Sequence, residues 1–269
     1  MNDPQNISKS KSALLRYHRQ VVFSGLGPAG QRKLMTGRVL IVGAGGLGSW
    51  SAELLARAGL GFIRLVDDDC VELTNIHRQG LYDQLDAAEG KSKVLAAAER
   101  IHRINADVEV EAISSRANGD NIESLAGDVD LILDGTDNFQ SRFCLNDAAV
   151  KLSLPFIFAG VVGCEGQTMT ILPGKTPCLR CIMPDPPPPC QDPTCNSFGV
   201  LGPAVATIAS IQATEAIKIL SGSPDKASPY LTKFDFWANS LQRLDVSDSR
   251  LENCPCCRMG CYEFLEDAD

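Results

Sequence analysis

No apolar run in this chain of 269 residues reaches membrane-spanning length without meeting a charge, whereas a transmembrane helix needs about 20 consecutive, predominantly apolar residues. Residues 1–12, MNDPQNISKSKS, lack the apolar stretch of a signal peptide, so a flexible polar tail on a cytoplasmic protein is expected. Positive charge is also short. The 25 Lys and Arg are outnumbered by 33 Asp and Glu, for a net charge of −8, which argues against a general nucleic-acid or anionic-membrane surface but leaves room for a local basic pocket. The three histidines, His18, His77 and His102, are dispersed and are not read as metal ligands. No internal repeat is visible. Cysteine, in contrast, is plentiful: eleven residues, an odd number that suits a reducing compartment where thiols serve metals or chemistry.

Ala13 to Gln20 is read as a short helix carrying Arg16 and Arg19. Residues 38–49, RVLIVGAGGLGS, begin as a strand buried on both faces and end in glycines, the form of a parallel strand running into a turn. In WSAELLARAGLG, Leu54, Leu55 and Ala58 recur at helical spacing and Gly59 stops the helix. The strand FIRLVD, a helix over about Lys91–Ile104, a β-like VEVEAI and the strand and turn VDLILDGTDN continue the alternation. That order predicts an α/β fold with a Rossmann-like, mostly parallel, doubly wound sheet. PFIFAGVVG extends the sheet, and GQTMTILPG and KFDFWANSLQRLDV alternate like antiparallel strands. Proline-rich residues 182–200 are expected to form an exposed crossover loop, followed by a helix over AVATIASIQATEAIKILSG. Because apolar strands resume on both sides of that loop, residues 13–269 are read as a single domain.

Gly43, Gly45 and Gly48 form G-x-G-x-x-G between a strand and a helix, with Gly46 in the same turn. There the backbone turns tightly and the amino end of the helix offers unpaired N–H groups to phosphate. Asp67, nineteen residues beyond Gly48, is suited to the ribose hydroxyls. A nicotinamide-dependent oxidoreductase with a Rossmann fold accounts for these features and stays open, as does a non-catalytic nucleotide-binding adaptor. Neither accounts for Arg78 and Lys93, two cations that suit a polyphosphate. Asp137, in DGTDN, falls just past the carboxyl end of a buried strand and is suited to Mg²⁺ held between phosphate oxygens. Taken singly, each is an ordinary surface charge or helix cap; in this order they suggest ATP.

Cys178 and Cys181 form CLRC, and Cys254 and Cys257 bracket CPCC near the end. Two C-x-x-C pairs suit a structural Zn²⁺ closed by four thiolates, fastening a C-terminal segment to the body. Cys256 and Cys261 are alternatives to Cys257. CLRC runs into prolines instead of opening a helix after a strand, which argues against a redox pair. Cys70, Cys144 and Cys164 are read as core or surface thiols.

The ordered pieces RYHRQ, GAGGLGS, DDDCVELTNIHRQ, GKSKV, DGTDN, PCLRC and GVLGP with SIQATEAIKIL, spanning Arg16 to Cys257, resemble the ThiF/MoeB/HesA family, bacterial relatives of ubiquitin-activating enzymes. The resemblance implies adenylation of the C-terminal glycine of a ubiquitin-like sulfur-carrier protein ending in Gly-Gly, with release of pyrophosphate, in thiamine or molybdopterin biosynthesis. By position it implies Asp67 on the ribose, Asn75, Arg78, Gln79 and Lys93 around the triphosphate, and Asp137 on Mg²⁺. Asp69 is counted with the nucleotide-binding residues, without an assigned contact. Arg19 aligns with an arginine that reaches the neighbouring subunit's ATP site, which implies a homodimer. Cys195 aligns with a thiol that takes the activated carrier into a covalent or persulfide-linked intermediate in ThiF-type members, with Cys190 as its rival; a sulfurtransferase is a further implied partner.

Overall fold

All five residues of Phe62–Val66 and four of the five in Arg38–Val42 are buried, and the two segments pair in parallel at the centre of the sheet. Strands so uniformly buried need cover on both faces, which a layer of helices on each side provides. The structure, a computed structural model, describes residues 14–187 and 198–266. Its first half runs α1 (His18–Val22), α2 (Gly27–Leu34), β1 (Arg38–Val42), α3 (Gly46–Ala58), β2 (Phe62–Val66), α4 (Gln84–Glu89), α5 (Lys93–Ile104) and β3 (Glu109–Ile113). Then come α6 (Ile122–Ala126), β4 (Leu131–Asp134), α7 (Phe139–Lys151), β5 (Phe156–Val162), β6 (Glu165–Ile171), α8 (Leu179–Ile182), α9 (Gly202–Leu220), β7 (Tyr230–Asp235) and β8 (Ser240–Asp245).

The eight strands lie in the order β3-β2-β1-β4-β5-β6-β7-β8, parallel from β3 to β5 and antiparallel from β5 to β8. The expected mostly parallel sheet with an antiparallel extension is therefore present. Strand alternation divides the core. Val39 and Ile41 of β1 face one cluster with Leu55 of α3, Ile101 of α5 and Ala213 of α9; Leu40 and Val42 face the other with Phe143 and Leu145 of α7. Among the described residues no helix is long and apolar enough to cross a membrane.

Two expected boundaries shift. The first helix begins at His18, with turns over residues 14–17, and continues to Val22. Tyr17 is drawn into the core instead: its hydroxyl accepts from Asn105 Nδ2 at 2.9 Å, and its ring fills the space a Cβ on Gly59 would need. The helix expected from Lys91 begins at Lys93, because Ser92 is extended and bridges to Cys70. The tail 1–12 and residues 188–197 of the crossover loop lie outside the described residues.

Candidate active site

The order β3-β2-β1-β4-β5 reverses direction between β1 and β4, and open sheets bind ligands just beyond the carboxyl ends of the strands at such a point. A cleft of about 580 Å³ opens there, lined by Gly43, Gly45, Gly46, Asp67, Asp69, Asn75, Arg78, Gln79, Lys93 and Asp137. Gly48 lies under the turn. A Cβ on Gly48 would sit 1.8 Å from the carbonyl oxygen of Gly43, and one on Gly43, where φ is +90°, would sit 2.5 Å from that of Gly135. Both positions admit only glycine, and the turns after β1 and β4 are in direct contact.

Asp67 holds this turn. Its Oδ2 accepts the Ala44 N–H at 2.6 Å and its Oδ1 accepts the Asp69 N–H at 2.8 Å. From the other side the Tyr82 hydroxyl donates to the Ala44 carbonyl at 2.7 Å, so Ala44 is pinned through both its N–H and its carbonyl. Burial raises the pKa of the Asp67 carboxyl, against the opposing pull of Lys93 and the two backbone N–H groups. Lys93 is itself buried, with Nζ 2.7 Å from Oδ2 of the exposed Asp69.

Along the next wall, Asn75 Oδ1 caps its turn by accepting the Glu72 N–H at 3.0 Å. Arg78 donates to the Thr74 carbonyl at 2.8 Å and lies 3.0 Å from His77 Nε2. Gln79 is 3% exposed, and its Oε1 has no hydrogen-bond partner. Asp137 is exposed beyond β4, and among the described residues its carboxylate accepts a hydrogen bond only from Asn138 Nδ2, at 3.4 Å. Arg19 lies exposed on α1 and does not line the cleft. Cys195 and Cys190 lie outside the described residues.

The thiols of Cys178, Cys181, Cys254 and Cys257 gather within 4.8 Å of one another. Neighbouring sulfurs stand 3.9 Å (Cys178–Cys181), 3.6 Å (Cys178–Cys254) and 3.5 Å (Cys181–Cys257) apart. Such separations are far too long for a disulfide at about 2.05 Å, and close to the roughly 3.8 Å edge of a tetrahedron with metal–sulfur bonds of about 2.3 Å. A thiol neighbour together with burial pushes Cys181 up to about 12, and burial leads in raising Cys254 to about 11. A quartet so arranged could hold a metal ion. Cys256 Sγ instead accepts from Asn146 Nδ2 at 3.5 Å, and Cys261 is exposed, which leaves Cys257 as the fourth member.

Residues 17–256 match the profile of the ThiF family. The chain belongs to the ThiF family. This ThiF-family chain is 40% identical over 250 residues to the sulfur carrier protein ThiS adenylyltransferase of Bacillus subtilis (strain 168), covering 93% of its own length and 73% of that protein's. With the protein of the same name from Escherichia coli (strain K12) it shares 38% over 244 residues, covering 90% and 94%. Among solved structures it resembles E. coli MccB with a TM-score of 0.78 at 21% identity, over 96% of this chain and 80% of that one, a likeness of fold alone.

The ThiF-family cleft also contains two arginines that sequence reasoning passed over. Arg116 follows β3, and nothing in its neighbourhood along the chain marks it. Arg142 is 7% exposed yet lines the cleft. The signal for it was its position: five residues beyond Asp137, one turn into the helix that Asn138 caps by accepting the Ser141 N–H at 2.9 Å, an arginine falls on the face turned back to the strand end.

Proposed function

We propose that this protein is an adenylyltransferase that transfers AMP from ATP to the C-terminal glycine of a ubiquitin-like sulfur-carrier protein, releasing pyrophosphate, in thiamine or molybdopterin biosynthesis. The observation that carries this reading is one cleft in which a glycine turn opens a helix, Arg78 and Lys93 face the same volume together with Arg116 and Arg142, and the exposed Asp137 carboxylate stands beyond β4. The names of the relatives, adenylyltransferases of sulfur carriers, favour nucleotidyl transfer over hydride transfer or nucleotide sensing.

The amino end of α3, Arg78 and Lys93 offset the charge of the phosphates, with Asn75 and Gln79 supplying amide contacts. Asp67 is placed on the ribose: each of its oxygens accepts one backbone N–H and keeps further acceptor capacity for a sugar hydroxyl, and Asp69 stands two residues on, beside Lys93. Asp137 fits Mg²⁺, an ion commonly held by one or two carboxylates together with phosphate oxygens; bound there, it would offset the charge of the departing pyrophosphate. The Asp67–Asp68–Asp69 group is a weaker candidate for that ion, because Asp67 is occupied and Asp69 carries Lys93. A glycine carboxylate is already nucleophilic near neutrality, so the site's task is alignment and charge neutralisation without a general base.

The cysteine quartet fits a structural Zn²⁺. Around the exposed Arg19, the side chains of Leu15, Val22 and Phe23 are 75%, 67% and 67% exposed, an apolar surface suited to a second subunit and hence to the implied homodimer. Cys195 is assigned to sulfur transfer after adenylation.

Incubation with ATP, Mg²⁺ and candidate carriers ending in Gly-Gly should give a carrier heavier by one adenylyl group in mass spectrometry. Absence of both that adduct and pyrophosphate exchange, combined with tight binding of NAD, would overturn the reading. Tyr82→Phe strands the Ala44 carbonyl at a net cost of about 1 kcal/mol, so ATP binding should weaken about fivefold by calorimetric titration; unchanged affinity would remove Tyr82 from the turn's support.

A further inference from the structure

Asp134, the last residue of β4, is a fully buried carboxylate whose oxygens are all engaged. Its Oδ1 accepts both the N–H and the Oγ1–H of Thr136, at 2.9 and 2.7 Å. Its Oδ2 accepts the Ala159 N–H at 3.3 Å and lies 3.5 Å from Arg142 Nε. Arg142 in turn donates from Nη2 to the Thr136 carbonyl at 3.1 Å. Thr136 is therefore gripped at its amide, hydroxyl and carbonyl by two buried, opposite charges, and the next residue is Asp137.

The grip is braced. The Arg142 guanidinium lies over the rings of Phe139 and Phe158, with centroid distances of 4.9 and 5.7 Å, and a Cβ on Gly160 would come within 3.3 Å of Nη2. Gln212 of α9 donates to the Asp134 carbonyl at 2.9 Å. On the other side, Gly135 donates to the Val42 carbonyl at 2.8 Å and abuts Gly43, so the loop carrying Asp137 is set in register with the glycine turn.

Burying an ion pair is costly and a well-packed apolar pair of similar volume is often no less stable; its retention at this point calls for a reason other than stability. We infer that Asp134 and Arg142 are positioning residues that hold the Thr136 peptide so that the Asp137 carboxylate is presented to the metal-bound polyphosphate at a fixed distance from the glycine turn. The inference rests on the reading of Asp137 as the magnesium-binding carboxylate. Arg142 lines the cleft, and in this inference it acts through the Thr136 carbonyl.

The test is calorimetric binding of α,β-methylene ATP, with Mg²⁺ and with EDTA, to Arg142→Lys, Thr136→Val and Asp137→Ala. Lysine keeps the charge but cannot reach both Asp134 and the Thr136 carbonyl. The expected result for Arg142→Lys is a roughly tenfold loss of affinity with Mg²⁺, the scale on which outer-shell partners of metal ligands act, and no change in EDTA. Thr136→Val removes a single hydroxyl and should shift affinity in the same direction by less; it also decides the matter should Arg142→Lys fail to fold. Wild-type magnesium dependence in the foldable variants, or equal losses with and without Mg²⁺, would overturn the inference if Asp137→Ala has lost its magnesium dependence. If Asp137→Ala itself keeps that dependence, the reading beneath the inference is what fails.

Discussion

Asp137→Ala is expected to reduce carrier-dependent exchange of labelled pyrophosphate into ATP by roughly a hundredfold to a thousandfold, the scale of removing one preorganised electrostatic contact from a reaction centre. The protein should remain folded. Asp137 is exposed, and among the described residues its carboxylate meets only Asn138 Nδ2, at 3.4 Å, so the substitution resembles surface changes that shift stability by about 0.5 kcal/mol or less. The loop itself is held by Thr136 and Gly135, which the variant leaves intact. A thermal melt with an unchanged midpoint beside collapsed exchange would match the prediction. Exchange at the wild-type rate would remove Asp137 from the mechanism.

The sheet was legible because RVLIV and FIRLV are each apolar at all positions but one arginine, and such runs alternating with amphipathic helices admit few arrangements. The glycine turn was legible for a related reason: its spacing reflects close contacts, and the 1.8 Å clash a Cβ on Gly48 would make with Gly43 is the physical content of the motif. Asp67 was found at its position, but its engagement with the backbone was not, since Ala44 lies 23 residues away and only the fold brings them together. Asp134 and Arg142 drew no reading from the sequence, because what distinguishes them is each other. The cysteine spacing located the quartet, but the choice between Cys256 and Cys257 depends on the direction of two side chains within one turn. Tyr17 misled for a similar reason, as burial against Gly59 and Asn105 outweighs helix propensity at its position.

Loss of the proposed Zn²⁺ from the cysteine quartet, by chelation or by Cys254→Ser, is expected to lower stability by about 4 kcal/mol, in the range of the large losses associated with removing a structural metal. At about 2–4 °C per kcal/mol this corresponds to a fall of roughly 10 °C in the thermal midpoint. The segment after β8 has other anchors of modest strength, among them buried Val246, Arg250 donating to the Gly174 carbonyl at 2.7 Å and Cys256 accepting from Asn146 at 3.5 Å. Phe264 meets Phe143 at 4.9 Å and donates its N–H to Asp147 Oδ2 at 3.4 Å, while Glu263 pairs with Arg180 at 3.2 Å. Every residue of β8 itself is exposed, so that strand cannot hold the segment by burial. Without a cation the thiols must take up protons, as the raised values of Cys181 and Cys254 require, and four neutral thiols attract one another weakly. Hydrogen exchange over residues 246–266 should accelerate in step with measured loss of metal. Fully stripped protein with unaltered exchange and midpoint would refute the tethering role, and protein purified from zinc-supplemented cells without bound metal would refute the site. None of the four cysteines lines the nucleotide cleft, so ATP affinity measured below the new midpoint should survive, separating the anchor of the C-terminal segment from the chemistry.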